Sequence, residues 1–357
     1  MKISENVLTI WKDITKVIVK VPSVWKEVSD AYINVGGTWK QFYSSGFIPA
    51  NMIAFADTTV LNGWSELSIL ISKYAMVNNV DGGAAGADTH TPDSILTTLE
   101  AEGVGSTGIG MDPGAGHTHS FTHGHSSVTN NPYHIVLRPL VSTLDAPIKD
   151  NMLFFFDSDV IPDGWQDMTA THNGAFIKCD STPNLTPSGS NSHTHTHTGS
   201  SSSETPAGAN VGSGGQSVIS QVTHSHTVNH THNSDNTPPF YEMRLIKLQA
   251  SGEATEVPSG LCAFFNTDIV PNGWSYFSET LGRFIQIGSN RGTTGGSLTH
   301  NDMFSGYSGY YTDPSPMSVA VGGESVHLEM HAHPINHGHY SMYHTPGHRK
   351  LLFCKKD

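Results

Sequence analysis

Charge and cysteine are both scarce in this 357-residue chain. Only 14% of its residues are charged, and 31 acidic residues outnumber 18 Lys and Arg. So few Lys and Arg side chains argue against a protein that binds nucleic-acid phosphates electrostatically, because such binding needs cationic side chains to displace the counterions. No apolar run approaches the roughly 20 residues that cross a bilayer, and we expect no signal peptide. Three scattered cysteines, Cys179, Cys262 and Cys354, predict neither a disulfide framework nor a Cys-based zinc site.

Histidine is the abundant exception, since the 22 histidines outnumber all Lys and Arg together. Internal repeats organise the rest of the chain. Trp11, Trp25 and Trp39 recur every 14 residues, each followed by Lys and separated by segments rich in Val, Ile and Tyr. This pattern predicts a small β-meander over residues 1–46.

A longer unit follows three times. An apolar stretch and an Asn-Gly or Asp-Gly turn lead each time into a tryptophan, at Trp64, Trp165 and Trp274. A second apolar stretch comes next, and each unit closes on a proline before a mixed strand, at Pro132, Pro239 and Pro346. We therefore predict a mainly β chain with three homologous domains over 47–145, 146–252 and 253–357. Residues 95–103 are the best candidate for a short helix.

Each long unit carries the pattern H-x-H-x-x-x-H-x-H near its end, at residues 117–125, 224–232 and 331–339. Alternate residues of a strand share a face, so all four histidines of a copy face one way. The remaining position on that face is Phe121, Val228 or Ile335. The opposite face is mostly small and polar, so the face that a strand normally buries is here mostly imidazole.

Imidazole is a good ligand for zinc, iron, nickel and copper. Three such strands meeting at a three-fold axis would supply six nitrogens to each of two octahedral sites, about 20 Å apart, with an apolar layer between them. Site one would contain His117, His119, His224, His226, His331 and His333. Site two would contain His123, His125, His230, His232, His337 and His339. Neither leaves a position for substrate, so both would be structural, and they would supply folding energy to a spindle with almost no apolar core.

The other histidines carry weaker predictions. His90, His193 and His300 roughly align among the repeats, and we interpret them as a third layer or a loop lining without metal. The tract HTHTHT at 193–198 is also compatible with a flexible low-complexity segment. We assign surface or satisfied core positions to the histidines without useful repeat partners, namely His134, His172, His327, His344 and His348.

The long unit resembles the tail-collar and receptor-binding tip domains of bacteriophage tail fibres. The resemblance rests on Gly273-Trp274, the strand that begins with Gly282-Arg283-Phe284 (G-R-F), the H-x-H pair His331 and His333, and the closing Pro239-Phe240. It implies intertwined chains with metal held octahedrally by H-x-H pairs, iron being the family's usual ion, with zinc or another divalent metal as the alternative. The first copy lacks a clear G-R-F, and Gly347 replaces the aromatic residue after Pro346.

That family usually has one such domain per chain and forms homotrimers. Three copies in one chain therefore leave two possibilities, an internal pseudo-trimer or a homotrimer with its domains in series. The Trp-Lys module also resembles β-modules of phage tail proteins, which implies that residues 1–46 attach the chain to other tail or baseplate proteins.

The resemblance implies a non-enzymatic virion tail protein, made in the host cytoplasm, that contacts a bacterial surface glycan or outer-membrane receptor. Candidate contact loops are 103–116, 199–218 and 304–326. The aromatic residues Phe304, Tyr307, Tyr310 and Tyr311 suit either sugar stacking or the face of a β-hairpin. Two other functions stay open: a baseplate adaptor or plug without a receptor, and a cupin-like metalloenzyme with an open metal position.

Overall fold

The computed structural model is mainly β, with 52% of its residues in strands. Among the residues that it describes there is no α-helix, only two 3₁₀ turns at Ser68–Leu70 and Ser278–Thr280, and no helix there is long and apolar enough to span a membrane. The described residues are 18–21, 24–27, 30–35, 38–44, 48–61, 63–80, 82–92, 95–99, 119–123, 125–143, 146–203, 225–249, 253–254, 257–308, 319–321, 324–326 and 333–357.

Within the described part of the N-terminal segment, four strands pair as two antiparallel hairpins, β1 with β2 and β3 with β4. Two of the three repeated tryptophans lie in these strands, and Trp11 lies outside the described residues. The strands are β1 (Ile18–Val21), β2 (Val24–Glu27), β3 (Asp30–Val35) and β4 (Thr38–Ser44).

The three long repeats follow one order of strands. The first repeat contains β5 (Met52–Ala56), β6 (Trp64–Glu66), β7 (Lys73–Asn78), β8 (Gly83–Ala85), β9 (Thr89–His90), β10 (Ile95–Leu99), β11 (His119–His123), β12 (Val128–Thr129) and β13 (His134–Ser142). The second contains β14 (Ile148–Lys149), β15 (Met152–Phe156), β16 (Trp165–Asp167), β17 (Phe176–Cys179), β18 (Asn184–Ser188), β19 (Ser192–His197), β20 (His230–Asp235) and β21 (Phe240–Leu248). The third contains β22 (Glu253–Ala254), β23 (Leu261–Phe265), β24 (Trp274–Tyr276), β25 (Phe284–Ile287), β26 (Thr294–Gly295), β27 (Thr299–Tyr307), β28 (Val319–Val321), β29 (Glu324–Val326), β30 (Pro334–Tyr343) and β31 (His348–Lys356).

The predicted helix at 95–103 is wrong where the structure describes it. Residues Ile95–Leu99 form strand β10, which pairs antiparallel with β11 along its whole length. Ile and Thr are stiff at χ1 and fit a pleated surface better than a helix, and the pairing satisfies the backbone groups of both strands.

A central sheet joins the three repeats and closes on itself as an eight-stranded barrel with additional strands. We call β5, β15 and β23, the apolar strands that precede the tryptophan turns, the first strands, and they pair with one another. We call β7, β17 and β25, the apolar strands that follow those turns, the second strands, and they also pair with one another. Each closing strand (β13, β21 and β31) pairs antiparallel with the first strand of its own repeat.

The closing strands also connect different repeats. Strand β13 runs parallel to β17, β21 runs parallel to β25, and β31 returns to run parallel to β7 of the first repeat. These pairings align His134, Phe240 and His348 with Phe176, Phe284 and Tyr74 respectively. The equivalent closing prolines are therefore Pro132, Pro238 and Pro346, so the closing proline predicted at Pro239 is displaced by one residue.

The core fills both sides of the first strands, all of whose residues are buried. Such strands carry continuous apolar runs because neither face meets water. At the centre, Phe55, Phe155 and Phe264 form a triangle of edge-to-face rings, which we call the phenylalanine triad. Its centroids are 6.0, 6.4 and 6.4 Å apart, within the range that aromatic pairs favour.

One glycine of each repeat allows a close backbone approach that no other residue would permit. Gly86, Gly189 and Gly296 have φ of 75°, 74° and 71°. A Cβ on any of them would lie 2.1–2.2 Å from the carbonyl oxygen of a closing proline in another repeat. Gly189 and Gly296 face the proline of the preceding repeat, and Gly86 of the first repeat faces that of the third. Both the left-handed backbone and the lack of space therefore require glycine.

Candidate metal centre

Three antiparallel hairpins carry the histidines. They pair β10 with β11, β19 with β20, and β27 with β30. The second strand of each hairpin contains histidines at alternate positions, and its period of two directs them to one face. That face is the buried one, since in β20 the buried residues His230, His232 and Ser234 alternate with exposed polar residues.

The structure brings together all six residues predicted for site two. We call them the six-histidine cluster: His123, His125, His230, His232, His337 and His339. All six are buried. Ring nitrogens of two four-residue subsets lie within 4.8 Å of one another, a grouping that can hold a metal ion. The Nε2 atoms of His123 and His339 are 3.3 Å apart, close to the roughly 3.0 Å expected between adjacent ligands at ~2.1 Å from an ion.

The ring positions in the six-histidine cluster match the vertices of an octahedron. Each ring centroid lies 4.3–6.0 Å from those of four others. The fifth ring lies across the cluster in each case, which gives the opposite pairs His123–His232, His125–His337 and His230–His339. Each pair joins two different repeats.

His123 and His337 are in the protonation state that binds metal. Burial, reinforced by neighbouring imidazoles, lowers the pKa of His123 to about 3 and that of His337 to about 4. These two rings are therefore neutral near pH 7. Both ring nitrogens of His125, His230 and His337 are buried without a hydrogen-bond partner among the described residues. Such groups are costly to bury, and coordination of an ion would satisfy one nitrogen of each.

Site one is described for half of its members. His119, His226 and His333 are buried, and their ring centroids are 4.6–5.0 Å apart. Their ring nitrogens also lie within 4.8 Å of one another, so this layer too can hold a metal ion. The other three predicted ligands, His117, His224 and His331, lie outside the described residues.

The predicted apolar layer lies between these two groups of histidines. Phe121, Val228 and Ile335 are at most 3% exposed and pack together. Phe304 packs against the same layer and stacks on His230 with ring centroids 4.7 Å apart. Of the two roles predicted for Phe304, this placement matches the face of a β-hairpin, because Phe304 lies in β27 and its ring packs beside the histidines. Tyr307 is 65% exposed, while Tyr310 and Tyr311 lie outside the described residues.

A further group of histidines was underestimated from the sequence. His90, His193, His195 and His300 have ring nitrogens within 4.8 Å of one another and can hold a metal ion, whereas we expected no metal among His90, His193 and His300. The missed signal is the pair His193 and His195, which share one face of a strand. The tract 193–198 is accordingly no flexible segment, because residues 192–197 form β19.

The remaining predicted core histidines differ in their surroundings. His134 and His348 are buried, each with Nδ1 on the carbonyl oxygen of a closing proline, Pro132 or Pro346. Nε2 of His134 contacts the Ser188 hydroxyl, whereas Nε2 of His348 has no hydrogen-bond partner among the described residues. His344 is buried and contacts the further group, since its Nδ1 lies 2.9 Å from Nδ1 of His300. His172 is buried apart from the clusters, and His327 lies outside the described residues.

Acidification is expected to destabilise the metal-free protein. Unfolded imidazoles have an ordinary pKa of 6.5, whereas burial lowers the pKa of His125 and His300 to about 3. Below about pH 6.5 the unfolded state binds more protons than the folded state. The free energy of unfolding therefore falls as the pH falls, by up to about 1.4 kcal/mol per pH unit for each such ring. Denaturant titrations at about pH 7 and about pH 5 measure this loss. Equal free energies of unfolding at the two pH values would contradict the buried, neutral rings.

Comparison with protein-family models, with curated proteins and with solved structures found no match to this chain.

Proposed function

We propose that this chain is a structural protein of a bacteriophage tail, a fibre tip or tail-end component that contacts the bacterial surface. In this proposal the three repeats of one chain take the places of three subunits, and histidine-bound metal makes the assembly rigid. The observation that carries the proposal is the cyclic strand pairing, in which every closing strand connects its own repeat to the next and the third returns to the first.

Equivalent residues support a pseudo-three-fold arrangement. The phenylalanine triad takes one ring from each repeat at nearly equal spacing. The glycines at 86, 189 and 296 each meet a proline of a different repeat with the same φ within a few degrees. Three domains that folded separately in series would pair their strands internally. The proposed domains over 47–145, 146–252 and 253–357 are therefore repeats of one intertwined body.

Iron is the metal that we propose, with zinc or another divalent transition metal as the alternative. Six imidazoles around one ion form a closed coordination sphere, which is typical of a structural site and leaves no position for substrate. The same argument disfavours the cupin-like enzyme, which requires an open position at its metal. In site one, His117, His224 and His331 would complete the six ligands.

Molar mass separates the internal pseudo-trimer from a homotrimer. We expect light scattering on the purified chain to give a monomer near 38.4 kDa, because the strands of each repeat already find their partners within the chain. A species near three times that mass, stable on dilution, would contradict the proposal and favour three chains with domains in series. Metal content alone does not separate the two, since both contain two sites per chain.

The attachment and receptor parts of the proposal need separate experiments. Residues 1–46 would bind other tail proteins, and the exposed Tyr307 would belong to the host-contacting surface, which a bacterial glycan or outer-membrane protein would occupy. Pull-down of purified bacterial envelope by the whole chain, compared with Tyr307→Ala and with the exposed-site control Val160→Ala, tests the receptor role. Equal absence of binding in all three would favour the second candidate, an adaptor or plug of the baseplate.

A further inference from the structure

The further group of histidines differs from the six-histidine cluster in its symmetry. His90, His193 and His300 come from equivalent strands of the three repeats and their ring centroids are 4.8–4.9 Å apart. The fourth ring, His195, comes from the second repeat alone, and its ring lies 4.7–5.7 Å from the other three. In the third repeat, the position equivalent to His195, two residues after His300, is occupied by Asp302. The site is thus built from unlike residues of the three repeats.

The spacing of nitrogen atoms in this group fits two adjacent ligands of one ion. The Nε2 atoms of His90 and His195 are 3.0 Å apart. Adjacent ligands at right angles, each about 2.1 Å from an ion, are separated by about 3.0 Å.

Neighbouring groups orient two of the rings so that Nε2 faces the group. Nδ1 of His90 contacts Oδ1 of Asn130, whose Nδ2 donates to the carbonyl oxygen of Ala87. An amide oxygen accepts only, so Nδ1 of His90 carries the proton and its Nε2 presents a lone pair. Nδ1 of His300 contacts His344, which leaves its buried Nε2 without a hydrogen-bond partner among the described residues. Outer partners of this kind orient histidines that bind metal, and for His90 the partner also fixes the tautomer.

A buried carboxylate supplies the second, independent indication of a cation. Asp302 is 2% exposed, and its Oδ1 accepts a hydrogen bond from the hydroxyl of Ser234. Its Oδ2 has no hydrogen-bond partner among the described residues and lies 3.8 Å from Nε2 of His195 and 3.9 Å from Nε2 of His300. A buried charge of this kind is costly unless an opposite charge lies nearby, and an ion held by the four imidazoles would provide it.

We propose that His90, His193, His195 and His300 bind a divalent transition-metal ion, with the Asp302 carboxylate beside it as the balancing charge. Four protein ligands leave room for water or a small anion, so this ion exchanges more readily than one enclosed by six imidazoles. The proposal concerns residues outside both predicted sites, and it holds whether or not the chain belongs to a phage tail.

Cobalt(II) loading of the full-length chain tests the proposal. We expect His193→Ala to bind one metal ion fewer per chain than the wild type by elemental analysis, and to lose the stronger visible absorption that distinguishes four- and five-coordinate cobalt from six-coordinate cobalt. The control His172→Ala removes a buried histidine outside the clusters and should keep both. Equal metal content and equal spectra in His193→Ala and the wild type would overturn the proposal.

Asp302→Asn provides a nearly isosteric second variant in case His193→Ala fails to fold. We expect its affinity for this cobalt ion to fall by about 10- to 100-fold, as for other outer partners of metal ligands, while the more slowly exchanging metal of the six-histidine cluster stays unchanged. Unaltered affinity in Asp302→Asn would refute the role of the carboxylate. Loss of the slowly exchanging metal in His230→Ala, with the readily exchanging ion retained, would concern only the six-histidine cluster, so failures of the two proposals remain distinguishable.

Discussion

Removal of metal from the purified chain is expected to lower its free energy of unfolding by on the order of 10 kcal/mol, the apparent worth of a structural metal site near neutral pH. The reason is the small apolar core of the histidine-bearing hairpins. Between their histidine layers, Phe121, Val228 and Ile335 form one thin layer with Phe304 against it. Hydrophobic burial on this scale does not offset the cost of burying many imidazoles.

Hydrogen exchange with and without chelator locates the effect. We expect strands β19 and β20 to lose protection when metal is removed, while β15 and β23 of the central sheet keep it, because their apolar core contains no histidine cluster. Adding the metal back should restore protection. Unchanged exchange in β19 and β20 after complete removal of metal, verified by elemental analysis, would contradict a stabilising metal in the six-histidine cluster.

Truncation of one ring of the phenylalanine triad is expected to have the next largest effect. Phe155→Ala should destabilise the protein by about 3–5 kcal/mol, since it removes a fully buried ring and leaves a cavity that the rings of Phe55, Phe264 and Phe353 border. Phe155 is 2% exposed and lies 6.0 and 6.4 Å from Phe55 and Phe264. Urea titration of the metal-loaded protein measures the change.

The matched control for this truncation is Val160→Ala, at a side chain that is 78% exposed. It should change stability by no more than about 0.5 kcal/mol. If Phe155→Ala fell within the same range as this control, the triad would not be the packed centre that joins the three repeats.

The sequence predicted the histidine clusters better than it predicted the strand partners. Alternation along a strand fixes which side chains share a face, so the burial of His230 and His232 beside Val228 followed from local spacing. Spacing within one strand carries no information about its neighbours in the sheet. The pairing of each closing strand with the next repeat, and the one-residue displacement from Pro239 to Pro238, therefore emerged only from the structure.

One local prediction failed because tertiary contacts outweighed local sequence signals. Residues Ile95–Leu99 looked helical in isolation but pair with β11. Of the two roles that the sequence left open for Phe304, sugar stacking or the face of a β-hairpin, the contacts match the second, because its ring packs against the apolar layer and stacks on His230. The group around His193 was underestimated for a related reason. Its members are not the same in all three repeats, and His195 and Asp302, which are far apart in the sequence, come close only in the folded chain.

The return of β31 to β7 has a consequence for how the protein reaches its fold. These strands lie at opposite ends of the repeat region, and until they pair, β7 and β23 each lack a neighbour. Non-local pairings of this kind are slow to form, and unpaired strand edges attract other chains. During synthesis on the ribosome, the sheet formed by the first two repeats therefore stays open until β31 emerges. Once closed, the same connection makes unfolding of the central sheet a single cooperative event, since no repeat can leave the sheet without opening its two neighbours.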